Sequence, residues 1–112
     1  MIRPIPLQLL IHSLTYEEFV PGDGFETEEG FKPAVTLSNV RVESVSNIKR
    51  SNNGEELQYK ALLFFDVVNS KSSGPFEFKE KSRVIFDGKT MYVNKVNPVY
   101  GFSLHHYEVE LI

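Results

Sequence analysis

An all-β fold is what this sequence predicts: a small antiparallel barrel or sandwich of about six strands with long loops. Three observations carry that expectation. No segment keeps a helical spacing of apolar residues over even three turns. Several runs instead alternate apolar and polar residues with the period of two that a half-buried strand shows. Between those runs lie clusters of Gly, Pro, Asn and Ser, the residues of turns and excursions. Closing such a sheet on itself would hide its edges.

The elements follow in order, within one domain over residues 1–112 that opens on an extended arm over 1–6. In Arg3-Pro4-Ile5-Pro6 each proline fixes its own φ and pushes the preceding residue out of the helical region. Leu7 to Phe19 carries apolar residues on both parities, which predicts a strand covered on both faces or one that changes face midway. Val20 to Pro33 holds three glycines, two prolines and four acids and reads as an excursion. Its Phe25 and Phe31 are too apolar for a solvated loop and are expected to pack back on the barrel or insert into a partner. In Val35–Glu43 the apolar parity flips between Leu37 and Val40, so a bulge near Asn39 would keep both halves facing the core.

Ser44 to Glu56 is a second excursion, with Asn53-Gly54 as its turn. Leu57 to Val68 is the most apolar strand, with Leu57, Tyr59, Ala61, Leu63, Phe65 and Val67 on one face and Leu62 and Phe64 on the other. Asn69 to Lys81 is a third excursion in which Phe76 and Phe78 could form a short edge strand. Asp87-Gly88 joins two β-rich runs into a hairpin from Arg83 to Val93. A two-residue loop sets Val84 opposite Met91 and Ile85 opposite Thr90; a three-residue loop with a Gly bulge shifts that register by one, and the sequence leaves both open. A turn over Asn97–Gly101 is expected next. In the final strand His105, Tyr107, Val109 and Leu111 share one face and His106, Glu108 and Glu110 the other.

Composition narrows the function classes. Of the 112 residues 41% are hydrophobic and 24% charged, close to the globular average. No apolar run approaches the roughly 18 residues of a membrane-spanning helix, and no export signal is visible over Met1–Pro6. With no cysteine, disulfides, thiolate catalysis and thiolate-ligated zinc are excluded. The net charge of −3 is uneven: between Pro4 and Phe31 there are six acids and no Lys or Arg, while the rest of the chain sets nine acids against 12 bases. One repelling and one mildly attracting surface are expected, rather than the strongly basic face of a dedicated nucleic-acid binder.

Catalytic signatures are missing: there is no Gly-x-Ser-x-Gly elbow, no phosphate-cradling Gly-rich loop and no His-Glu-x-x-His. The expectation is a non-enzyme without cofactor. His105-His106 does not read as a metal site, because neighbours in a regular strand point to opposite faces. The acids of Asp23–Glu29 lack the ligand spacing of a calcium loop. Lys49-Arg50, with Lys71, Lys79 and Lys81, could meet phosphates, though so few bases give weak binding unless repeated around a ring.

A set of segments carries a resemblance: Ile5-Pro6-Leu7, His12-Ser13-Leu14-Thr15-Tyr16-Glu17, Val40-Arg41-Val42, Asp66 with Asn69-Ser70, Val84-Ile85-Phe86-Asp87-Gly88-Lys89, and above all the closing His105-His106-Tyr107-Glu108-Val109-Glu110-Leu111-Ile112. Over essentially its whole length the chain resembles the small minor capsid proteins of tailed bacteriophages and prophages of Gram-positive bacteria. In size and β-pattern it is also similar to head-completion, or stopper, proteins. The resemblance implies a structural protein of the virion neck, made in the host cytoplasm. Copies would self-associate into a ring when templated, closing the DNA channel or bridging a portal-side adaptor to a tail-side completion protein, with no membrane partner. By the same analogy Ser44–Glu56 would face the lumen, bringing Lys49 and Arg50 near packaged DNA. The arm (Arg3, Ile5) and the Val20–Pro33 loop (Phe25, Phe31) would contact neighbouring connector proteins. The rival reading is an OB-like barrel that stacks single-stranded nucleic acid on Tyr59, Phe64 and Tyr92.

Overall fold

The structure, a computed structural model, describes residues 3–22, 28–44 and 60–112. After a 3-10 turn at Leu7–Leu9, nine strands follow among the described residues: β1 His12–Glu17, β2 Phe19–Val20, β3 Gly30–Phe31, β4 Val35–Ser44, β5 Ala61–Asp66, β6 Lys71–Ser72, β7 Arg83–Phe86, β8 Lys89–Tyr100 and β9 Leu104–Leu111. Six of them close a barrel in the order β1-β7-β8-β9-β5-β4, with β1 pairing back on β4, and every pairing is antiparallel. β6 hangs on β4, and β2 and β3 form a separate ribbon. The all-β barrel of about six strands is thus the observed architecture.

Alternation fills the interior. Leu14 and Tyr16 of β1, Leu37, Val40 and Val42 of β4, Ala61, Leu63 and Phe65 of β5, and Val109 and Leu111 of β9 are buried together with Val84, Met91 and Val93. Each such large side chain is worth about 1.5–3 kcal/mol when removed from water. The turn resolves the register left open by the sequence: Asp87 (φ 52°) and Gly88 (φ 74°) form a two-residue turn, and Val84 lies opposite Met91 and Ile85 opposite Thr90.

Three bulges shape the barrel. Asn39 (φ 53°) is the extra residue of β4, since His12 pairs with Val40 and Ser13 with Ser38. Thus Leu37 and Val40 both face inward, as the parity flip predicts. Asn94 is extra in β8, and His105 is extra in β9, because Val99 pairs with His106 and Tyr100 with Leu104.

Several expectations are corrected. Leu7–Leu9 is a 3-10 turn rather than strand: Pro6 sits at φ −58°, and the Leu9 and Leu10 amides bond back to the Pro6 and Leu7 carbonyls. Phe76 and Phe78 form no strand; their rings turn inward against Tyr16 and Phe65, where burial outweighs a ladder. The expected turn at Asn97–Gly101 is strand as far as Tyr100, and the chain reverses at Gly101–Ser103. Pro98 fits because the partner on the other side of β8 ends with β7 at Tyr92 and the Lys81 and Ser82 bonds to Val93, so at Pro98 only β9 pairs with β8 and an edge needs no proline N–H. Leu57 and Tyr59 lie outside the described residues.

Candidate functional site

The most constructed polar feature is the cleft that holds the arm. Asp66, fully buried at the end of β5, accepts the Val68 and Asn69 amides on Oδ2 at 3.0 and 2.8 Å, and so makes an Asx turn. Its other oxygen accepts the Ile5 amide at 3.0 Å, and Asn69 Nδ2 donates to the Ile5 carbonyl at 2.8 Å. Ser70 locks the turn, accepting the Asp66 amide on its hydroxyl and donating to the carbonyl of the Asn39 bulge. Asp66, Asn69 and Ser70, singled out in sequence as one weak motif, are therefore a single hydrogen-bonded unit.

The histidine pair completes the cleft. Its rings were expected to diverge, yet His105 Nδ1 and His106 Nδ1 lie 2.8 Å apart. The bulge at His105 breaks the strict alternation that the sequence argument assumed. His105 Nε2 lies 2.6 Å from the Arg3 carbonyl, and His106 Nε2 lies 3.1 Å from Glu108. Among the described residues no group of three side chains is arranged to hold a metal.

Around the arm the surface is apolar. Phe102, at the tip of the β8–β9 reversal, is 96% exposed, and Tyr100, Val67 and Val68 are also exposed. Pro4, Val67, Val68, Phe102, Leu104 and His105 border an open cavity of about 230 Å³. Exposed aromatics grouped with aliphatic residues are the composition of a contact surface.

The ribbon is fastened elsewhere. Arg83 holds Glu17 through two bonds of 2.7 and 2.9 Å while its guanidinium stacks 4.4 Å from the Phe31 ring. The Arg83 bonds hold the Glu17 carboxyl below its ordinary range, against the smaller cost of burial. For Glu18 burial is the largest influence and opposes ionisation, yet Lys32 (2.9 Å), Lys79 (3.2 Å) and the Glu77 amide together outweigh it and lower its pKa. Two of the six acids of the N-terminal stretch are thus matched to bases from later in the chain, which shrinks the repelling surface that the charge count suggested. Beneath them the Tyr16 hydroxyl donates to the Glu77 carbonyl (2.7 Å), accepts the Lys79 amide (3.0 Å) and touches Ser82 (3.0 Å). Burial raises its pKa.

At the far end of β5, Ser44 pairs with Ala61, and Ser44 and Lys60 flank residues 45–59. A cavity of about 490 Å³ there is bordered by Lys60, Asp87, Lys89 and Thr90.

Of the candidate contact residues, Arg3 and Ile5 lie in the arm cleft, while Phe31 packs on its own chain against Phe19 and Arg83. Phe25, Lys49 and Arg50 lie outside the described residues. Of the aromatics of the rival reading, Phe64 leans on His106 in β5 and Tyr92 sits across from Arg83 in β8, with β9 between the two strands, and Tyr59 is outside the described residues. Sequence reasoning did not single out Phe102 or the arm-clamping role of Asn69.

A family model described as minor capsid protein matches residues 6–111. The chain belongs to this phage minor capsid protein family. The match covers every barrel strand, so the family signature and the β-barrel are the same stretch of chain. It makes the protein a structural, virion-associated one. Neither a curated protein nor a solved structure matches the chain.

Proposed function

We propose that this minor capsid protein works in the head-tail neck, where copies assemble as a ring between portal-side and tail-side connector proteins and help to close the DNA channel. The observation that carries the reading is the apolar end of the barrel. A phenylalanine with 96% exposure beside Val67, Val68 and a clamped arm costs solubility for nothing unless a neighbour covers it. A closed ring needs such a patch on every copy to meet a different patch on the next.

The loop Ser44–Glu56, with Lys49 and Arg50, is proposed to face DNA. Its described flank, Ser44, lies with Lys60 and Lys89 at the end of the barrel opposite Asp66, so neighbour contacts and phosphate contacts need not compete for one surface. A few bases per copy suffice when a ring repeats them. The test adds purified protein to filled heads that lack it and follows nuclease sensitivity of the genome. Protection is the expected result. Binding without protection reduces the role to bridging, and absence of binding overturns the neck assignment. Lys49→Glu with Arg50→Glu is expected to restore leakage; unchanged retention would refute the DNA-facing loop.

A further inference from the structure

Among the described residues, the hydrogen bonds from Asp66, Asn69 and His105 to the arm all meet its backbone. Asp66 takes the Ile5 N–H, Asn69 gives a hydrogen to the Ile5 carbonyl, and His105 meets the Arg3 carbonyl. The cleft is also shaped without the arm: Val68, Asn69, Ser70 and the Asn39 carbonyl fix Asp66 and its turn from within the barrel. It is a preformed receptor for an extended peptide, and the peptide in it is tethered loosely.

That tether runs from Pro6 to Ile11. Its 3-10 turn buries no residue, and two local backbone bonds and one Arg41 bond to the Leu9 carbonyl hold it. Leu7, Leu9 and Ile11 are 55%, 46% and 66% exposed, an apolar hinge left in water, and Leu10 is the first buried anchor. The prolines at 4 and 6 keep the arm extended when it leaves, so little is lost in reordering it.

We propose that the cleft is an exchange site: in the assembled ring Asp66, Asn69 and His105 of one copy clamp the Arg3–Ile5 segment of a second copy of this chain. The inference rests on the ring reading for its setting. Every contact made at home is remade identically on the neighbour, so exchange is nearly neutral in the cleft. Burial of Leu7, Leu9 and Ile11 between copies then favours the exchanged form. Geometry limits it: Leu10 lies five chain steps from Ile5, so a neighbour's cleft must lie within about 17 Å of the donor's Leu10.

Two measurements test it on the full chain. First, a fluorescent peptide with the sequence of residues 3–10 is added to a chain carrying Ile5→Pro, which removes the N–H that Asp66 takes. The peptide is expected to bind with saturation. It should bind the unaltered chain at least about tenfold more weakly, because the resident arm competes at high effective concentration. Adding Asn69→Ala, which removes the bond to the Ile5 carbonyl, should weaken binding about fivefold. No saturable binding to the Ile5→Pro chain overturns the exchange site whether or not a ring forms.

Second, a photo-crosslinking residue at position 5 is placed in mixed light and heavy isotope chains, which are irradiated dilute and after assembly on heads. Dilute chains should crosslink to residues 66–70 or 105 of the same copy. Assembled chains should crosslink to the same residues in light–heavy pairs, in the proportion of random mixing. Only same-copy crosslinks in assembled protein would overturn exchange while leaving the ring intact. Peptide binding without any attachment to heads would instead overturn the neck reading and leave the receptor standing.

Discussion

Replacing Asp66 by Ala separates the turn from the arm and tests the most specific structural claim made of this barrel. The carboxylate is fully buried and accepts three backbone amides, those of Ile5, Val68 and Asn69. On its loss the Ile5 N–H regains water as the arm lifts off, but the Val68 and Asn69 amides stay at the barrel end without an acceptor. Each of these part-buried amides loses a bond to a charged acceptor, worth about 1.5–3 kcal/mol. The charge also no longer has to be desolvated, which offsets part of that cost. The expected net loss is about 3 kcal/mol, and at about 4 °C per kcal/mol for a domain of this size the melting temperature falls by about 12 °C. Asn69→Ala removes only one bond to the arm and should cost about 1 kcal/mol. With no tryptophan and five tyrosines in the chain, urea unfolding followed by tyrosine fluorescence and circular dichroism measures both variants. An Asp66→Ala chain within about 0.5 kcal/mol of the parent, or no worse than Asn69→Ala, would refute the assignment of Asp66 as the organiser of this end.

Four other outcomes follow from the same structure. Glu18 has a lowered pKa, so its ion pairs stabilise the fold fully above the ordinary carboxylate range and are lost as pH falls through the folded value; the stability gap between the parent and Glu18→Gln should be widest at neutral pH and shrink in acid, measured as urea midpoints across that range. Phe78→Ala removes a half-buried ring that meets Tyr16, Phe65, Phe76 and Tyr107 edge-on or tilted, and should cost about 2–3 kcal/mol in the same unfolding assay. Gly88 sits at φ 74° with open space around its Cα, so Gly88→Ala meets no clash and should cost only the left-handed backbone strain, about 1 kcal/mol, seen as a small drop in melting temperature. Phe102→Ser should leave stability within about 0.5 kcal/mol, since the ring contacts so little of its own barrel, yet weaken attachment to heads in a sedimentation assay.

What could be read from the chain was local. The Asp87-Gly88 turn was legible because only a few residue pairs accept two positive φ values, and the Asn39 bulge because a parity flip inside one strand has few other remedies. The arm cleft was not legible, because the Ile5 amide and its acceptor are 61 positions apart and no periodicity links them. Phe76 and Phe78 alternate as an edge strand would, but burial against Tyr16 and Phe65 overrode the pattern. The contact between the two histidines needed a bulge that neither residue announces, and Phe102 stands in a polar turn, Gly-Phe-Ser, where one aromatic makes no pattern at all.

β5 gives so small a barrel two chemically different ends. It spans six residues, about 20 Å of strand. Asp66 closes one end with the arm, the histidines and the apolar patch around Phe102, and Ala61 closes the other beside Lys60 and the cavity bordered by Asp87 and Lys89. A carboxylate that must stay buried and hydrogen-bonded favours a fixed, dry contact at the first end. Exposed lysines at the second keep their hydration, which suits the releasable phosphate contacts proposed for that end. On the proposed neck reading, the same strand would separate a contact that holds a copy in place from one that can yield.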